Sequence, residues 1–295
     1  MPSPKKPLTT IPRRQLGRHL RDMRLEAGMS IANAARLIER GTGTLQRLEK
    51  GEAGRIRMLD IQALCQVYET TDRLDGLLEL AKVAASNDGE GMWWHEYSGG
   101  AIRADFELYV SLEAAASKLT IFRPDLISGL FQTRSYARAL ESAFHSNAAG
   151  EELLDKLYTV RVNRQRIITR KRNPVEVRLL LSEAALRYLV GNPRTMAEQL
   201  LHIIDLPVNV NVQLLPFTSG YPLGVAPGPF TLLDFDASTG EKATAYIEGY
   251  RGNMYYDKPE VIEQYRETFS RLTASALSPA DSKQALRRIA REYQQ

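Results

Sequence analysis

From Arg13 to Ala27 the apolar residues Leu16, Leu20, Met23 and Ala27 recur at intervals of three and four, while Arg14, Arg18, Arg21 and Arg24 fall on other sides. That period predicts an amphipathic helix with a basic outer face, stopped by Gly28. Ser30 is a good N-cap for a second helix reaching about Glu39, with Ala34, Ala35 and Ile38 inward. After a short turn, Thr42 to Lys50 predicts a third helix. Its Leu45 and Leu48 point into a core, and Thr42, Gly43, Gln46, Arg47 and Lys50 are left outside. Met58 to Tyr68, with Ile61, Leu64, Cys65 and Tyr68 on one face, and Asp72 to Ala85, with Leu74, Leu77, Leu78 and Ala81, complete a five-helix module.

Small, polar, glycine-rich residues follow over 85–91, the clearest linker in the chain, and then "MWWHEYSGG", which holds both tryptophans. Those aromatics either clamp the start of a second domain or line a ligand site. Helices are expected over Phe106–Lys118, Thr133–Phe144 and Glu151–Arg170. Past Pro174 the runs "VEVRLLL", "VNVNVQLLPF", "FTLLDF" and "ATAYIE" are β-branched, apolar and of strand length, separated by Pro and Gly turns. A helical stretch with an Asn192–Pro193 start separates the first two. Two closing helices are expected near Pro259–Ser275 and Pro279–Glu292, the last with Ser278 and Asp281 as a capping box. Strands mixed with helical hairpins predict an α+β domain. The expected organisation is a flexible basic tail over 1–12, a helix-turn-helix domain over 13–85, a linker over 86–91 and an α+β domain over 92–295.

Charge changes this picture more than composition does. The chain of 295 residues is 43% hydrophobic and 25% charged, ordinary for a folded protein. Its net charge of +4 hides a surplus: residues 1–57 hold thirteen Lys or Arg against five Asp or Glu, so the rest of the chain is net negative. A basic module joined to a mildly acidic one points to a polyanionic partner for the first. The tail "MPSPKKPLTTIPRR" is either a disordered leader or a basic arm on DNA, and it lacks the apolar core of a secretory signal. One cysteine, Cys65, fits a reducing cytoplasm, and four scattered histidines give no zinc spacing, so no metal, cofactor or membrane partner is expected.

The stretch "MSIANAARLIERGTGTLQRLEKGE" resembles the helix-turn-helix of the XRE, Cro and lambda-repressor-like regulators. Arg47, Leu48, Glu49, Lys50 and Gly51 match that family's ending, and Ala35 its small residue at the helix crossing. Two positions depart from the pattern: Ile31 stands where the family has Gln, and Glu39 where it has the turn glycine. The resemblance implies an all-α, lambda-repressor-like N-terminal domain that binds double-stranded DNA, with Glu49 tying helices together. Further on, "YVSLEAAASKLTIFRPDLISGLFQTRSYARAL", "LLLSEAALRYLVG", "MAEQL", "VNVQLLP" and "AYIEG" are similar, in order, to the large actinobacterial WhiJ-like group of such regulators. Their C-terminal domain, of unknown function, is thought to sense a signal or hold a small partner protein encoded nearby.

A recognition helix reads base edges near its start and one turn on. Thr42, Gly43, Thr44 and Arg47 are therefore the expected base contacts, and Gln46, Lys50, Arg55 and Arg57, at or past the helix end, the phosphate contacts. Arg47 has an alternative in a salt bridge with Glu26. Gly43 either permits close approach to DNA or lies just outside a helix that starts later. Glu183 and Glu248 are the one carboxylate pair worth watching, but capping or solvated roles suit them better, and Ser182 and Ser219 lack a nucleophile's setting, so no catalytic group is expected. The run Arg161, Arg164, Arg166, Arg170, Lys171 and Arg172 reads as a solvated helix face or an extension of the DNA footprint. The expectation is a cytoplasmic, homodimeric transcription regulator responding to a small-molecule effector or small protein, with an antitoxin-like, autoregulating interaction protein as the alternative.

Overall fold

A computed structural model describes residues 11–85, 104–145, 150–236, 241–249 and 253–295. Residues 1–10 of the tail expected over 1–12, the linker over 86–91 and the tryptophan motif lie outside them, while Ile11 and Pro12, expected in the tail, open the first helix. The chain divides into two compact units, Met1–Trp93 and Trp94–Gln295.

The first unit is all helical: α1 (Ile11–Glu26), α2 (Ile31–Leu37), α3 (Thr42–Glu49), α4 (Met58–Val67) and α5 (Leu74–Ala85), with a 3-10 turn at Thr71–Arg73. The break between α1 and α2 has a local cause. Gly28 takes a left-handed φ of 67° that ends the α1 region, and the Ser30 side chain accepts from the Asn33 N–H to start α2. Leu16, Leu20, Met23, Ala34, Ala35, Leu45, Leu48, Ile61, Leu64 and Cys65 close over one core, the faces the sequence period assigns.

The expected basic outer face of α1 is only partly there. Arg13, Arg14 and Arg24 are buried, because α1 lies flat on the end of α3. A Cβ on Gly17 would stand 2.5 Å from the Glu49 carbonyl oxygen, and one on Gly51, whose φ is 70°, 2.7 Å from the Arg14 nitrogen. Two glycines thus bring backbone against backbone, and the arginines beside that contact are covered by it.

In the second unit, a sheet of order β3-β2-β1-β4-β5-β6 is built from β1 (Lys118–Arg123), β2 (Glu176–Ser182), β3 (Val210–Leu215), β4 (Phe230–Asp234), β5 (Thr244–Ile247) and β6 (Met254–Tyr256). β1, β2 and β3 are parallel, whereas β4, β5 and β6 continue antiparallel from β1. The helices are α6 (Ala104–Ala115), α7 (Arg134–Phe144), α8 (Glu151–Thr169), α9 (Glu183–Arg187), α10 (Pro193–Ile204), α11 (Pro259–Ala274) and α12 (Pro279–Glu292). On one face Phe122, Leu180, Phe230 and Ala245 meet Phe269 and Leu272 of α11. This mixed sheet with helices is the expected α+β domain.

Two strands escape the sequence reading. The helix expected over Phe106–Lys118 stops at Ala115, and "KLTIFR" forms β1, the strand about which the sheet changes from parallel to antiparallel. No Gly or Pro separates helix from strand there, so the apolar period runs on past the true boundary. β6 is three residues long and too short to show alternation. The expected caps, by contrast, are in place: Asn192 accepts from Thr195 N and Ser278 from Asp281 N, while Thr133, expected as the first residue of its helix, is the N-cap and accepts from Tyr136 N.

Candidate nucleic-acid interface

α3 begins at Thr42 with Gly41 as its N-cap, so Gly43 is inside the helix, in its first turn. Leu45 and Leu48 are buried, and Thr42, Gly43, Thr44, Gln46, Arg47 and Lys50 are all exposed. At 100° per residue Thr42, Gly43, Gln46, Arg47 and Lys50 share one side, and Thr44 lies at its edge. Gln46, expected at the helix end, sits in the middle of that side instead. A Cβ on Gly43 would meet only the Arg47 Nη1, at 3.9 Å, so nothing inside the unit demands glycine there.

Arg47 has no hydrogen bond or ion pair from its side chain among the described residues. The alternative partner, Glu26, pairs instead with Arg73 at 3.4 Å, both well exposed. Arg55, in the loop after α3, and Arg57, at the N-cap of α4, are exposed as well. Four cations and two hydroxyls therefore stand free on and just beyond one helix.

That helix is held from behind. Glu49, 8% exposed, accepts from Arg24 Nε at 2.7 Å and Nη2 at 2.9 Å, while Arg24 Nη1 donates to the Met29 carbonyl at 2.8 Å. The side-chain hydrogen bond to Glu49 raises the Arg24 pKa further. Arg13 donates to the Ala53 carbonyl. Arg40 takes Asp60 of α4 through Nε at 3.0 Å and Nη2 at 2.8 Å, fastening the turn between α2 and α3. In that turn Glu39 has a φ of 55°, at the position where the resemblance has glycine. The sequence reading put Arg24 on the outer face of the first helix and passed over Arg13 and Arg40, because their partners Glu49, Ala53 and Asp60 lie 20 to 40 residues further along the chain.

In the second unit the basic run of α8 and the residues after it divides: Arg166, Lys171 and Arg172 are exposed, as a solvated face requires, whereas Arg161, Arg164 and Arg170 are committed to partners. Arg164 is bidentate to the buried Glu113, at 2.8 and 3.0 Å, and lies over the Phe106 ring at 4.8 Å. Arg161 donates to Glu141 at 2.8 Å, and Arg170 bonds the Asn173, Ala114 and Ala116 carbonyls. Glu183 heads α9, accepting from the Phe217 N–H and pairing with Arg187, and Glu248 pairs with Arg123 at 2.7 Å. Each carboxylate has its own arginine. Ser182 caps α9, and Ser219 donates to the Ser275 carbonyl at 2.6 Å. Among the described residues no group of three or more His, Cys, Asp or Glu could hold a metal ion, and no helix is long and apolar enough to cross a membrane.

Residues 15–76 match a family model described as a helix-turn-helix domain, and residues 106–288 match one described as a domain of unknown function, DUF5753. No curated protein and no solved structure matches the chain.

Proposed function

The chain belongs to the family defined by the domain of unknown function DUF5753, and from the helix-turn-helix ahead of that domain we infer that it reads a specific DNA sequence with α3. A DNA-binding regulator follows from the helix-turn-helix itself. The finer reading is an XRE-type regulator of the actinobacterial WhiJ-like group, dimeric on a two-fold operator in the cytoplasm. Its second unit would respond to a small molecule or protein, without catalysis. The observation that carries it is Arg47: an exposed guanidinium without a partner, one turn into a helix whose other side is bolted down by Glu49 and Arg24. Arg in that place can take the two acceptors of a guanine edge, for about 1–3 kcal/mol of discrimination. Gln46, on the same side, joins Thr42, Gly43, Thr44 and Arg47 as a reader, while Lys50, Arg55 and Arg57 suit phosphates.

The test is a mobility-shift series on DNA from the region upstream of the coding sequence, with unrelated duplex as competitor. Arg47→Ala is expected to lose roughly 5- to 150-fold of the preference for the upstream fragment. Arg55→Ala is expected to weaken both DNAs alike and to lower the salt slope by about 1. Equal loss of specific and non-specific binding in the two variants would reassign Arg47 to the phosphates.

A further inference from the structure

α12 packs against β3 and α10 and buries Ser282, Ala285, Leu286, Ile289 and Ala290. At 100° per residue Lys283, Arg287, Arg288 and Arg291 share its other side, and all four are exposed. That spacing does not suit a helix left to itself. Lys283, Arg287 and Arg291 follow one another at i, i+4, and Arg288 and Arg291 at i, i+3, where like charges repel. The helix dipole accounts for Arg291, in the last turn, and for none of the others. The two carboxylates of α12 give no relief, because Asp281 accepts from Ser278 Oγ at 2.6 Å and Glu292 pairs with Arg187. Among the described residues none of the four cations has a carboxylate partner, whereas Arg134, Arg138, Arg161 and Arg187 of the same unit all have one.

An apolar pair stands at the end of this stripe. The Tyr293 hydroxyl bonds the Leu186 and Arg187 carbonyls at 3.0 and 3.2 Å, and Arg187 holds Glu292, so the connection from α9 to α10 is fastened to the end of α12. The next two residues, Tyr188 and Leu189, are 62% and 58% exposed. They are held out rather than frayed: Val190 is buried, a Cβ on Gly191 would stand 3.1 Å from the Ala139 Cβ, and Asn192 caps α10. Residues 94–295 hold 24 Lys or Arg against 23 Asp or Glu, so the stripe is a local surplus in a balanced unit. A two-fold contact with a second copy would set the same cations against one another. A phosphate backbone would answer the cations and leave Tyr188 and Leu189 with nothing. We propose that this surface docks an acidic segment of a partner protein, its carboxylates along Lys283, Arg287 and Arg291 and a large apolar side chain against Tyr188 and Leu189. From 283 to 291 the helix rises about 12 Å, so a segment of two to three helical turns spans the stripe. That this partner acts on the regulator rests on the reading above; the docking does not.

The measurement is fluorescence anisotropy with the full-length protein at low salt and three labelled probes: the peptide Glu-Glu-Leu-Trp-Glu-Glu-Leu-Glu-Glu, a polyglutamate of the same length, and a short duplex of unrelated DNA. The first peptide is expected to bind with a Kd on the order of 100 μM, and polyglutamate several-fold more weakly. Arg287→Glu combined with Arg291→Glu is expected to lose about tenfold or more of that affinity and little of the affinity for the duplex. The same reversal at Arg55 and Arg57, in the first unit, is expected to leave peptide binding nearly unchanged. Tyr188→Ala with Leu189→Ala is expected to weaken the first peptide several-fold and polyglutamate not at all, and it decides the matter if the charge reversal unfolds the protein. Equal affinity for the two peptides, peptide binding lost with Arg55 and Arg57 instead, or a loss for the duplex as large as for the peptide in the α12 variant would each overturn the assignment. Absence of peptide binding overturns it too and leaves the reading of DNA by α3 as it is, while a failure of α3 to prefer any DNA leaves the peptide results standing.

Discussion

Glu49 shows how much one side chain decides. It was expected to tie helices, from a resemblance alone, and it does so by accepting two guanidinium hydrogen bonds from Arg24, which join α1 to α3. Removing it leaves the Arg24 guanidinium buried and half satisfied, which costs about 3–5 kcal/mol in such pairs. Glu49→Ala is therefore expected to unfold the first unit at a much lower urea midpoint, whereas Arg47→Ala, on the exposed side, changes that midpoint little; denaturation followed by far-UV circular dichroism separates the two. His19 gives a pH dependence. Burial lowers its pKa from the usual 6.5, Asp22 opposes that shift, and Arg18 and Arg73 add to it. A histidine with a depressed folded pKa binds its proton more readily when unfolded, so its contribution is complete above about pH 6.5 and is lost as the pH falls below it. Stability of the first unit is expected to decline toward pH 5 with a slope of at most about 1.4 kcal/mol per pH unit from this group. His19→Gln should flatten it.

Among the elements, those with their own start and stop signals were legible and those without were not. Ser30, Thr133, Asn192 and Ser278 announce their helices because a cap is a local hydrogen bond, written within three residues. β1 is not local. Its six residues become a strand because β2 and β4 lie on either side, with Phe122 facing Leu180 and Phe230, and nothing in "SKLTIFR" itself records those partners. The burial of Arg13, Arg14 and Arg24 was illegible for the same reason, since it depends on Gly17 and Gly51 admitting another backbone. The exposed side of α3 was legible, being set by period alone. The glycines supply a paired prediction. Gly43→Ala, in open space on a helix, is expected to stabilise the first unit by up to about 1 kcal/mol. Gly17→Ala, whose methyl would overlap the Glu49 carbonyl, is expected to destabilise it by about 1–3 kcal/mol, as overpacking does. Thermal melts of both variants check the sign of each, and a Gly43→Ala variant that is more stable yet binds DNA less would show that the glycine serves the groove.

Over the whole molecule, charge is segregated in sequence and further sorted by folding. Of the cations in residues 1–57, Arg13, Arg14 and Arg24 are buried and Arg40 is committed to Asp60, while Arg47, Lys50, Arg55 and Arg57 stay exposed on or next to α3. The rest of the chain is net negative and adds no comparable surplus. Electrostatic attraction to DNA then belongs to the first unit, and its strength is countable. Three cations on phosphates, Lys50, Arg55 and Arg57, release counterions with a slope of about −2.7 in log K against log salt. One recognition helix covers a half-site, so a two-fold operator requires two copies and about twice that slope, near −5.4. The fragment 1–93, which holds a complete core of its own, is expected to bind duplex DNA non-specifically with the smaller slope. The full chain on its operator is expected to show the larger one and to run as a dimer by light scattering at micromolar concentration. Equal slopes for fragment and full chain, with a monomer in solution, would mean that one helix reads the site alone and that the second unit has some role other than pairing the first.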